Sequence, residues 1–380
     1  MAMHRVLVLG AGKIGRTIAA LLAATEDYEV TLADRDEAAL KPVRQRVQVR
    51  TLALDASDAS ALESAMAGQD SVVSALAYVS NPLVAELALK LGPSYFDLTE
   101  DRETTRRVRE FAKSAKSGQL FVPQCGLAPG YISIVAHELT RGFDRLDSVY
   151  MRVGALPRFP TNFLKYNLTW STDGLINEYC NPCEAIHDGV LREVLPLEGL
   201  EHFALDGVRY EAFNTSGGLG SLCETLAGKV RELNYKTIRY QGHRDYMAFF
   251  LGELRLGESR ELAKQILERA VPVTFQDTVV MFSTVSGWRG GQLVQVSDAR
   301  RVVNSVVLGE NFSAIQLTTA AGLCVMLDLH RQGRLGERGL VRQEEVSLDT
   351  FLGNRFGEYY RAPNASHFTL AMSELASVPP

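Results

Sequence analysis

The stretch His4-Arg-Val-Leu-Val-Leu-Gly10-Ala-Gly12-Lys-Ile-Gly15-Arg-Thr-Ile-Ala-Ala-Leu-Leu22 decides the fold of the first part of this chain. An apolar strand runs into Gly-x-Gly-x-x-Gly, and a helix of small apolar residues follows directly. A second strand, Glu29-Val-Thr-Leu-Ala-Asp34, ends in an acidic residue 19 positions after Gly15. Strand, glycine loop, helix and acid together are typical of a dinucleotide-binding βαβ unit. The chain is therefore expected to bind a nicotinamide or flavin dinucleotide.

Each residue of the glycine loop has an expected task. Gly10 allows the tight turn, Gly12 lets the backbone approach a pyrophosphate, and Gly15 lets the helix pack closely on the strand. Lys13 and Ile14 begin the helix, whose first N–H groups and positive dipole end favour phosphate. The loop is therefore predicted to hold the pyrophosphate through backbone atoms.

The residues after the second strand bear on which dinucleotide is bound. Asp34 can accept hydrogen bonds from both ribose hydroxyls and would repel a 2′-phosphate, which favours NAD. Arg35 keeps NADP open, because an arginine at this place can bind a 2′-phosphate or stack on adenine. The residues predict NAD, with NADP as the alternative.

The composition is that of an ordinary globular protein. The chain has 380 residues, of which 46% are hydrophobic and 22% charged, and its net charge is −5. This balance gives no reason to expect nucleic acid or an anionic membrane as a partner, and two or three domains are expected from the length. Five cysteines do not form a disulfide framework, and no signal peptide or spanning run is recognised. A cytoplasmic protein is the default expectation.

Strand and helix signals alternate over about the first 120 residues, which predicts a doubly wound parallel sheet of the Rossmann type. In such sheets the ligand lies at the carboxyl ends of the strands. The residues expected at those ends, and hence near the cofactor, are Asp55, Ala75, Leu76, Leu98, Thr99, Cys125 and Gly126.

The pattern changes from about Asp147 to Trp288, where short β-like runs alternate with loops. Strands without long intervening helices predict a largely antiparallel sheet, and hence an α+β substrate domain. The apolar helix Ser313–Arg331 is expected to return to the first domain. The predicted divisions are residues 1–125, 126–305 and 306–380.

Two short motifs point in different directions. Gln124-Cys-Gly-Leu-Ala-Pro-Gly-Tyr131 follows the sixth predicted strand, where the Rossmann topology places nicotinamide and substrate. A plain strand-to-helix turn is the alternative.

The motif Cys180-Asn-Pro-Cys183 is half of a zinc site at best, because the sequence has no second cysteine pair at a suitable spacing. No metal is predicted.

Three residues of the second part are candidates for chemistry, each with a structural alternative. Trp170 can form a wall of a substrate site or belong to the core. Arg239 can pair with a substrate carboxylate or lie on the surface. His243 can act as a general base near neutral pH, although it is one of seven histidines.

With these segments in view, the chain resembles the saccharopine dehydrogenase-like family of NAD(P) oxidoreductases over nearly its whole length, and within it the ε-deaminating lysine dehydrogenases. The segments that carry the resemblance are Leu9–Gly15, Tyr95–Glu100, Pro123–Val135, Met151–Pro157, Asn167–Glu178, Glu211–Leu219, Arg239–His243 and Val341–Glu345. The glycine loop is shared with many Rossmann proteins, whereas Gln-Cys-Gly-Leu-Ala-Pro-Gly and Leu-Thr-Trp-Ser-Thr-Asp-Gly-Leu-Ile-Asn are far more specific.

The resemblance implies that NAD⁺ oxidises the ε-carbon of L-lysine and that the iminium is hydrolysed. The products are then ammonia and 2-aminoadipate 6-semialdehyde, which cyclises to a piperideine carboxylate. One departure separates this chain from saccharopine reductases, which resemble it but place an arginine near the segment that here reads Phe213-Asn-Thr-Ser-Gly217. A substrate with fewer carboxylates than saccharopine is therefore expected.

The resemblance also implies a set of site residues. Those expected around the nicotinamide are Tyr78, Asp97, Thr99 and Cys125. Those expected around the lysine are Trp170 as a wall, Arg239 for the α-carboxylate, Asp173 or Glu178 for the α-amine, and Asn214 and Thr215 nearby. His243 is the first candidate for the base, followed by Asp97 and Glu100.

Two further readings stay open. One is an oxidoreductase of saccharopine or another imine-linked amino acid, and the other is a non-catalytic regulator that binds a dinucleotide. A homodimer is expected only because two-fold dimers are the commonest assemblies.

Overall fold

A computed structural model describes residues 3–46, 49–361 and 366–371. The chain forms two compact units. The first consists of residues 1–131 and 316–360, and the second of residues 132–315 and 361–380.

The described residues form eighteen strands and twelve α-helices. The strands are β1 (His4–Leu9), β2 (Tyr28–Asp34), β3 (Arg50–Ala53), β4 (Ser71–Ser74), β5 (Ser94–Asp97), β6 (Leu120–Val122), β7 (Arg145–Pro157), β8 (Cys183–His187), β9 (Val190–Val194), β10 (Glu201–Leu205), β11 (Val208–Asn214), β12 (Glu232–Tyr240), β13 (Asp277–Arg289), β14 (Gln292–Val303), β15 (Ser305–Val307), β16 (Glu310–Phe312), β17 (Gly339–Leu340) and β18 (Ser366–Ala371). The helices are α1 (Lys13–Ala23), α2 (Glu37–Arg46), α3 (Ala59–Met66), α4 (Asn81–Leu91), α5 (Arg102–Ala112), α6 (Tyr131–Thr140), α7 (Thr172–Cys180), α8 (Leu222–Thr225), α9 (His243–Ala248), α10 (Arg260–Ala270), α11 (Ala314–Arg331) and α12 (Leu348–Gly353).

The first unit is built on a seven-stranded sheet in the order β17-β6-β5-β4-β1-β2-β3, and every pair in it is parallel. The strand order reverses between β1 and β4. In doubly wound sheets such a reversal opens a crevice at the carboxyl ends of the strands, where ligands bind. The predicted Rossmann-type fold is confirmed.

The core of the first unit comes from the apolar strands and the helix faces that cover them. Leu7, Val72, Tyr95 and Phe121 are buried in one cluster with Val84 of α4. Helix α11 also belongs to this unit from residue 316 onward, as the sequence predicts. Its apolar side chains are buried on all sides, which is typical of an internal helix rather than a surface one.

The second unit is built on a nine-stranded mixed sheet. Its main order is β10-β11-β12-β7-β13-β14-β18, with β8 paired to β12 and β9 to β8. The pair β12–β7 is parallel and the others are antiparallel, so the sheet is largely antiparallel, as the sequence predicts. The long hairpin β13–β14 turns through Gly290 and Gly291, whose positive φ values of 58° and 82° suit a two-residue hairpin loop.

Among the residues that the structure describes, no helix has the length and apolar character needed to cross a membrane.

Candidate functional site

The glycine loop of the first unit has two positions that require glycine. Gly10 has a φ of +97°, and a Cβ there would lie 2.8 Å from the carbonyl oxygen of Ala75. A Cβ on Gly15 would lie 1.9 Å from the carbonyl oxygen of Gly10. Any larger residue at either position would push the loop away from β1 and β4.

Gly12 is different, because the space around it is open. It precedes α1 as the N-cap, it is exposed, and no atom lies within 4 Å of the position that a Cβ would take. Glycine has no side chain, so the N-cap residue Gly12 makes no side-chain hydrogen bond to the start of α1, which begins at Lys13 and Ile14. Open space beside the N-terminus of a helix fits a pyrophosphate.

Asp34 ends β2 beside this loop. One carboxylate oxygen accepts a hydrogen bond from the N–H of Ala11 at 2.6 Å, and the other accepts from the N–H of Asp36 at 2.8 Å. The carboxylate thus fixes the glycine loop to the end of β2, and its side chain is only half-buried. This geometry fits a residue that also faces a ribose.

Arg35 and Asp55 lie exposed at the ends of the neighbouring strands β2 and β3. The N–H of Leu54 donates to the carbonyl of Asp34 at 2.9 Å, which brings the two chain segments together. Hydrogen bonds from Ser57, and then the charge of Arg35, lower the pKa of Asp55. Asp55 therefore stays ionised close to Arg35.

The remaining predicted cofactor residues lie at the carboxyl ends of β4, β5 and β6. Ala75 and Leu76 follow β4 and are half-buried, and the N–H of Ala75 donates to the carbonyl of Leu9 at 2.8 Å. Tyr78 is also half-buried and begins a 3₁₀ turn. Leu98, Thr99 and Gly126 follow β5 and β6, and a Cβ on Gly126 would lie 3.7 Å from the Leu98 side chain.

Asp97 is a fully buried hub at the end of β5. Its carboxylate accepts hydrogen bonds from the hydroxyl of Tyr95 at 2.7 Å, the N–H of Thr99 at 3.0 Å and the N–H of Gln124 at 2.9 Å. Burial raises the pKa of Asp97 to about 6. A buried carboxylate that accepts three internal hydrogen bonds holds the neighbouring loops in place. The geometry therefore does not support Asp97 as the base that deprotonates the substrate.

Cys125 is also buried and protonated. Its thiol donates to the carbonyl of Val122 at 2.8 Å, and the Gln343 amide lies 3.5 Å from the sulfur. Burial and the nearby Asp97 charge raise the pKa of this thiol well above its ordinary value. The geometry therefore supports a structural role for Cys125 and does not support a reactive thiolate.

The second unit contains a buried polar group that we call the arginine cluster: Tyr166, Glu178, Tyr179, Tyr235, Arg239 and His243. Arg239 lies on β12 and is 2% exposed. Its Nε donates to the hydroxyl of Tyr179 at 2.8 Å, and its guanidinium carbon lies 5.3 Å from the centre of the Tyr166 ring. Burial alone would lower the pKa of Arg239, but the two phenols and the Glu178 carboxylate raise it. Arg239 is therefore a buried cation rather than a surface arginine.

His243 lies in the same cluster and is fully buried. Its Nε2 is 3.0 Å from the hydroxyl of Tyr179, and its Nδ1 is 2.9 Å from the carbonyl oxygen of Leu164. Burial, and then the charge of Arg239, lowers the pKa of His243 to about 3. Both ring nitrogens are occupied and the ring stays neutral, so the geometry does not support His243 as the general base.

Trp170 lies at the border of this cluster. Its indole N–H donates to the hydroxyl of Tyr166 at 3.0 Å. Its ring covers Gly174, where a Cβ would lie 2.3 Å from the six-membered ring. The tryptophan is partly buried, which leaves its expected place as a substrate wall open.

Asp173, Asn214 and Thr215 differ from one another in exposure and in hydrogen bonding. Asp173 is exposed and forms an ion pair with Lys264 at 2.7 Å. The Asn214 amide donates to the carbonyl of Leu195 at 3.2 Å. Thr215 is 2% exposed, and its hydroxyl finds no hydrogen-bond partner among the described residues. Of the two candidates for the α-amine, only Glu178 lies in the arginine cluster.

Sequence reasoning missed Glu211, which organises this cluster. It lies opposite Arg239 in the register of β11 and β12. Its carboxylate accepts hydrogen bonds from the N–H of Gly242 at 2.7 Å and of Arg244 at 2.6 Å, and so fixes the start of α9 at His243. Glu211 lies within the run of four buried residues Tyr210–Phe213 of β11, and a charged residue inside this otherwise apolar run was the available signal.

The cysteine pair Cys180 and Cys183 shows no metal-binding geometry. In the part of the chain that the structure describes, no three His, Cys, Asp or Glu side chains form a group that could hold a metal ion.

Comparisons with known proteins agree with this architecture. The family model described as the saccharopine dehydrogenase NADP binding domain matches residues 6–122, and the one described as the saccharopine dehydrogenase C-terminal domain matches residues 126–356. A saccharopine dehydrogenase (NADP(+), L-glutamate-forming) from Saccharomyces cerevisiae is 28% identical over 366 residues, which cover 88% of this chain and 79% of the relative. A mitochondrial alpha-aminoadipic semialdehyde synthase from Mus musculus is 24% identical over 297 residues, 72% of this chain and 30% of that protein.

Solved structures show the same fold. The apo saccharopine dehydrogenase (L-Glu forming) of Saccharomyces cerevisiae superimposes with a TM-score of 0.78 at 18% identity, covering 97% of this chain and 100% of the other. A homospermidine synthase of Legionella pneumophila in complex with NAD gives a TM-score of 0.67 at 14% identity, covering 97% and 91%. Since the second family model alone spans more than half of the chain, this protein belongs to the saccharopine dehydrogenase family.

Proposed function

We propose that this protein is an NAD-dependent lysine dehydrogenase that oxidises the ε-amino carbon of L-lysine and releases ammonia. The family is one of dinucleotide-dependent oxidoreductases that act on amino acids. Beyond this family membership, we propose L-lysine as the substrate and NAD as the dinucleotide. The semialdehyde product would cyclise to a piperideine carboxylate.

The composition of the arginine cluster carries the proposal. It contains one arginine, Arg239, and one carboxylate, Glu178, in a buried setting. This pair of charges is complementary to the α-carboxylate and α-ammonium of one amino acid. The segment Phe213–Gly217 adds no basic side chain. A substrate with one carboxylate is better matched than saccharopine, which has three.

The choice of NAD rests on the end of β2. Asp34 is half-buried beside the glycine loop, where a carboxylate favours ribose hydroxyls over a 2′-phosphate. Gly12, Lys13 and Ile14 would hold the pyrophosphate through their backbone. When bound, the nicotinamide supplies the acceptor for the hydride that leaves the ε-carbon.

The amine must be neutral before it can give up a hydride, yet the pKa of a lysine ammonium is about 10.4. The first two of the three predicted bases do not meet this need. His243 is neutral with both nitrogens occupied, and the Asp97 carboxylate is enclosed by three donors. We therefore assign deprotonation to solvent rather than to either side chain.

Activity should accordingly follow the titration of the substrate. We expect kcat/KM for L-lysine to rise about tenfold per pH unit from pH 7 and to level off near pH 10. The measurement is the initial rate of NADH formation across this range at subsaturating lysine. A flat profile would show that a protein group with a lower pKa removes the proton.

The test of the function is NADH formation by the purified protein with NAD⁺ and L-lysine at alkaline pH, with ammonia measured in the same samples. Parallel reactions contain ornithine, saccharopine or NADP⁺. Lysine-dependent NADH with equimolar ammonia supports the proposal. Absence of turnover with lysine, in a protein that still binds NAD, contradicts it.

A second candidate is favoured by the names of the relatives, several of which are saccharopine dehydrogenases that use NADP(+). The two functions differ in the reverse reaction. A lysine dehydrogenase consumes ammonia, whereas a saccharopine enzyme requires glutamate. Turnover of saccharopine without turnover of lysine would select this second function.

A further inference from the structure

Three hydrogen bonds connect the buried arginine to a main-chain carbonyl. Arg239 Nε lies 2.8 Å from the hydroxyl of Tyr179, that hydroxyl lies 3.0 Å from His243 Nε2, and His243 Nδ1 lies 2.9 Å from the carbonyl oxygen of Leu164. We call this line of groups the relay. Tyr179, Arg239 and His243 are each at most 2% exposed.

The groups at the two ends of the relay determine which atom carries the proton in each of its hydrogen bonds. The Leu164 carbonyl can only accept, so His243 Nδ1 carries the proton. In a neutral ring Nε2 is then an acceptor, and the Tyr179 hydroxyl must donate to it. The Arg239 guanidinium can only donate, so it occupies a lone pair of the same hydroxyl. One arrangement of protons satisfies all three bonds.

The relay is held in place from several sides. Glu211 accepts the N–H groups of Gly242 and Arg244 on either side of His243. The Phe213 ring stacks near the imidazole with centroids 6.4 Å apart, and the Tyr166 ring lies 5.2 Å away. The charged and titratable groups facing His243 are thus Arg239, Tyr179, Tyr166 and the Glu211 carboxylate.

We propose that Tyr179 and His243 are positioning residues, which hold the Arg239 guanidinium in one orientation for the carboxylate of the amino acid substrate. The proposal rests on the proposed function, because it takes Arg239 as the group that binds the carboxylate. Arg239 has a long side chain. Its Nη1 donates to the carbonyl of Ile238 at 2.8 Å, and the directional bond from Nε to Tyr179 further restricts its rotation. Since every member of the relay except the guanidinium is neutral, the orientation does not change with pH.

The proton arrangement can be tested without any substrate. In protein labelled with ¹⁵N-histidine, the His243 signals are identified by their loss in His243→Gln. We expect a protonated Nδ1 and an unprotonated Nε2 throughout pH 5–9. A His243 that titrates in this range, or that carries its proton on Nε2, would overturn the relay.

The positioning role is tested by steady-state kinetics with L-lysine. Tyr179→Phe removes the hydroxyl and keeps the ring, and we expect KM for lysine to rise by roughly tenfold with kcat within about twofold, since one hydrogen bond to a charged group is lost. Tyr240→Phe is the matched control. Its hydroxyl donates to the carbonyl of Pro157 at 2.9 Å and takes no part in the relay. An unchanged KM in Tyr179→Phe contradicts the proposal.

Two variants of His243 distinguish positioning from general packing. Gln offers an amide oxygen to Tyr179 and an amide N–H to a carbonyl, so His243→Gln should keep KM within about threefold of the original protein. His243→Leu should resemble Tyr179→Phe, since its side chain accepts no hydrogen bond. Equal KM values in the two variants overturn the positioning role, as does loss of the alkaline rise of kcat/KM in His243→Gln.

Failure of the relay and failure of the proposed function give different results. If the protein does not oxidise lysine but His243 has the expected protonation, the function is wrong and the relay stands as structure. If lysine is oxidised and Tyr179→Phe matches Tyr240→Phe, the relay does not position Arg239.

Discussion

Arg35 and Asp55 lie at the place where a dinucleotide-binding fold discriminates between the two nicotinamide cofactors. Arg35 follows β2 directly, and Asp55 follows β3 by two residues. Both are exposed, and the charge of Arg35 helps to lower the pKa of Asp55. A carboxylate near the arginine weakens the attraction of that arginine for a 2′-phosphate, so Asp55 should add to the effect of Asp34.

We therefore expect Asp55→Asn to improve binding of NADPH relative to NADH by about 3- to 10-fold, because one repulsive charge is removed and the charge of Arg35 is no longer opposed by a carboxylate. The measurement is fluorescence titration of each reduced dinucleotide at low and high salt. Asp58→Asn, three residues away and also exposed, makes the same change of charge and should leave the ratio unaltered. An equal shift in both variants would contradict a specific effect of Asp55.

Single residues differed in how far they could be predicted. Gly10 and Gly15 were predictable because their tasks follow from the local turn and the helix that comes next. The placement of His243 was not, because both its bonding partners, Tyr179 and Leu164, are more than 60 residues away in sequence. The state of a histidine depends on burial and neighbours that a linear pattern does not contain.

Helix α11 begins with an acceptor from a distant strand. Asp277, the first residue of β13, is fully buried, and its carboxylate accepts the N–H groups of Ala314 and Ile315. Burial raises the pKa of Asp277 to about 6. The helix thus has a buried cap that no neighbouring residue in sequence supplies.

Removing this cap should destabilise the protein. We expect Asp277→Ala to lower the free energy of unfolding by about 2 kcal/mol, because two helical N–H groups lose their acceptor inside the protein. The check is thermal or urea denaturation. Asp58→Ala removes the cap of α3, whose carboxylate also accepts two N–H groups but is exposed to water, and should cost less than 1 kcal/mol. Equal losses would show that burial does not matter here.

Elements with a strong local pattern were predictable. The parallel strands β1, β4 and β6 of the first unit contain short apolar runs, and glycine or proline lies next to one end of β1, β5 and β6. The hairpins β8–β9 and β15–β16 were not resolved as pairs, because Val190–Val194 and Ser305–Val307 are mostly exposed and carry little alternation. The parallel pairing of β12 with β7 was also missed, since it joins residues about 80 positions apart.

At the scale of the whole molecule, the first unit is assembled from two separate stretches of chain. Asp328, on α11, connects them. Its buried carboxylate accepts hydrogen bonds from the Tyr28 hydroxyl at 2.7 Å, the Asn354 amide at 2.8 Å and the Arg355 guanidinium at 2.6 Å. Burial alone would raise the pKa of Asp328, but these donors hold it below the ordinary value.

We expect Asp328→Ala to lower the free energy of unfolding by about 3 kcal/mol, because Arg355 and Tyr28 lose a buried partner. The folded pKa is lower than the unfolded one, so this contribution is complete above the ordinary carboxyl pKa of about 4 and is lost as the pH falls below it. Urea denaturation at pH 7 and at pH 3 measures the difference. A gap between the two proteins that widens in acid would contradict the assigned cause.

The candidate site shows the same division between local and distant information. The dinucleotide loop lies within one βαβ unit, so its geometry followed from a short motif. The arginine cluster draws residues from β12, α7, α9 and the loop that contains Tyr166. Membership of Arg239 and Glu178 was predicted from resemblance, whereas Tyr179 and Glu211 required the three-dimensional register.

The two-segment construction of the first unit has a consequence for synthesis on the ribosome. Strand β6 emerges early, but its neighbour β17 and the internal helix α11 are translated some 200 residues later. Until then the nascent sheet exposes one edge and an apolar face, both of which favour unwanted association. Maturation of the nucleotide-binding half must therefore wait until the intervening half has been translated, and this interval is when a chaperone would be needed most.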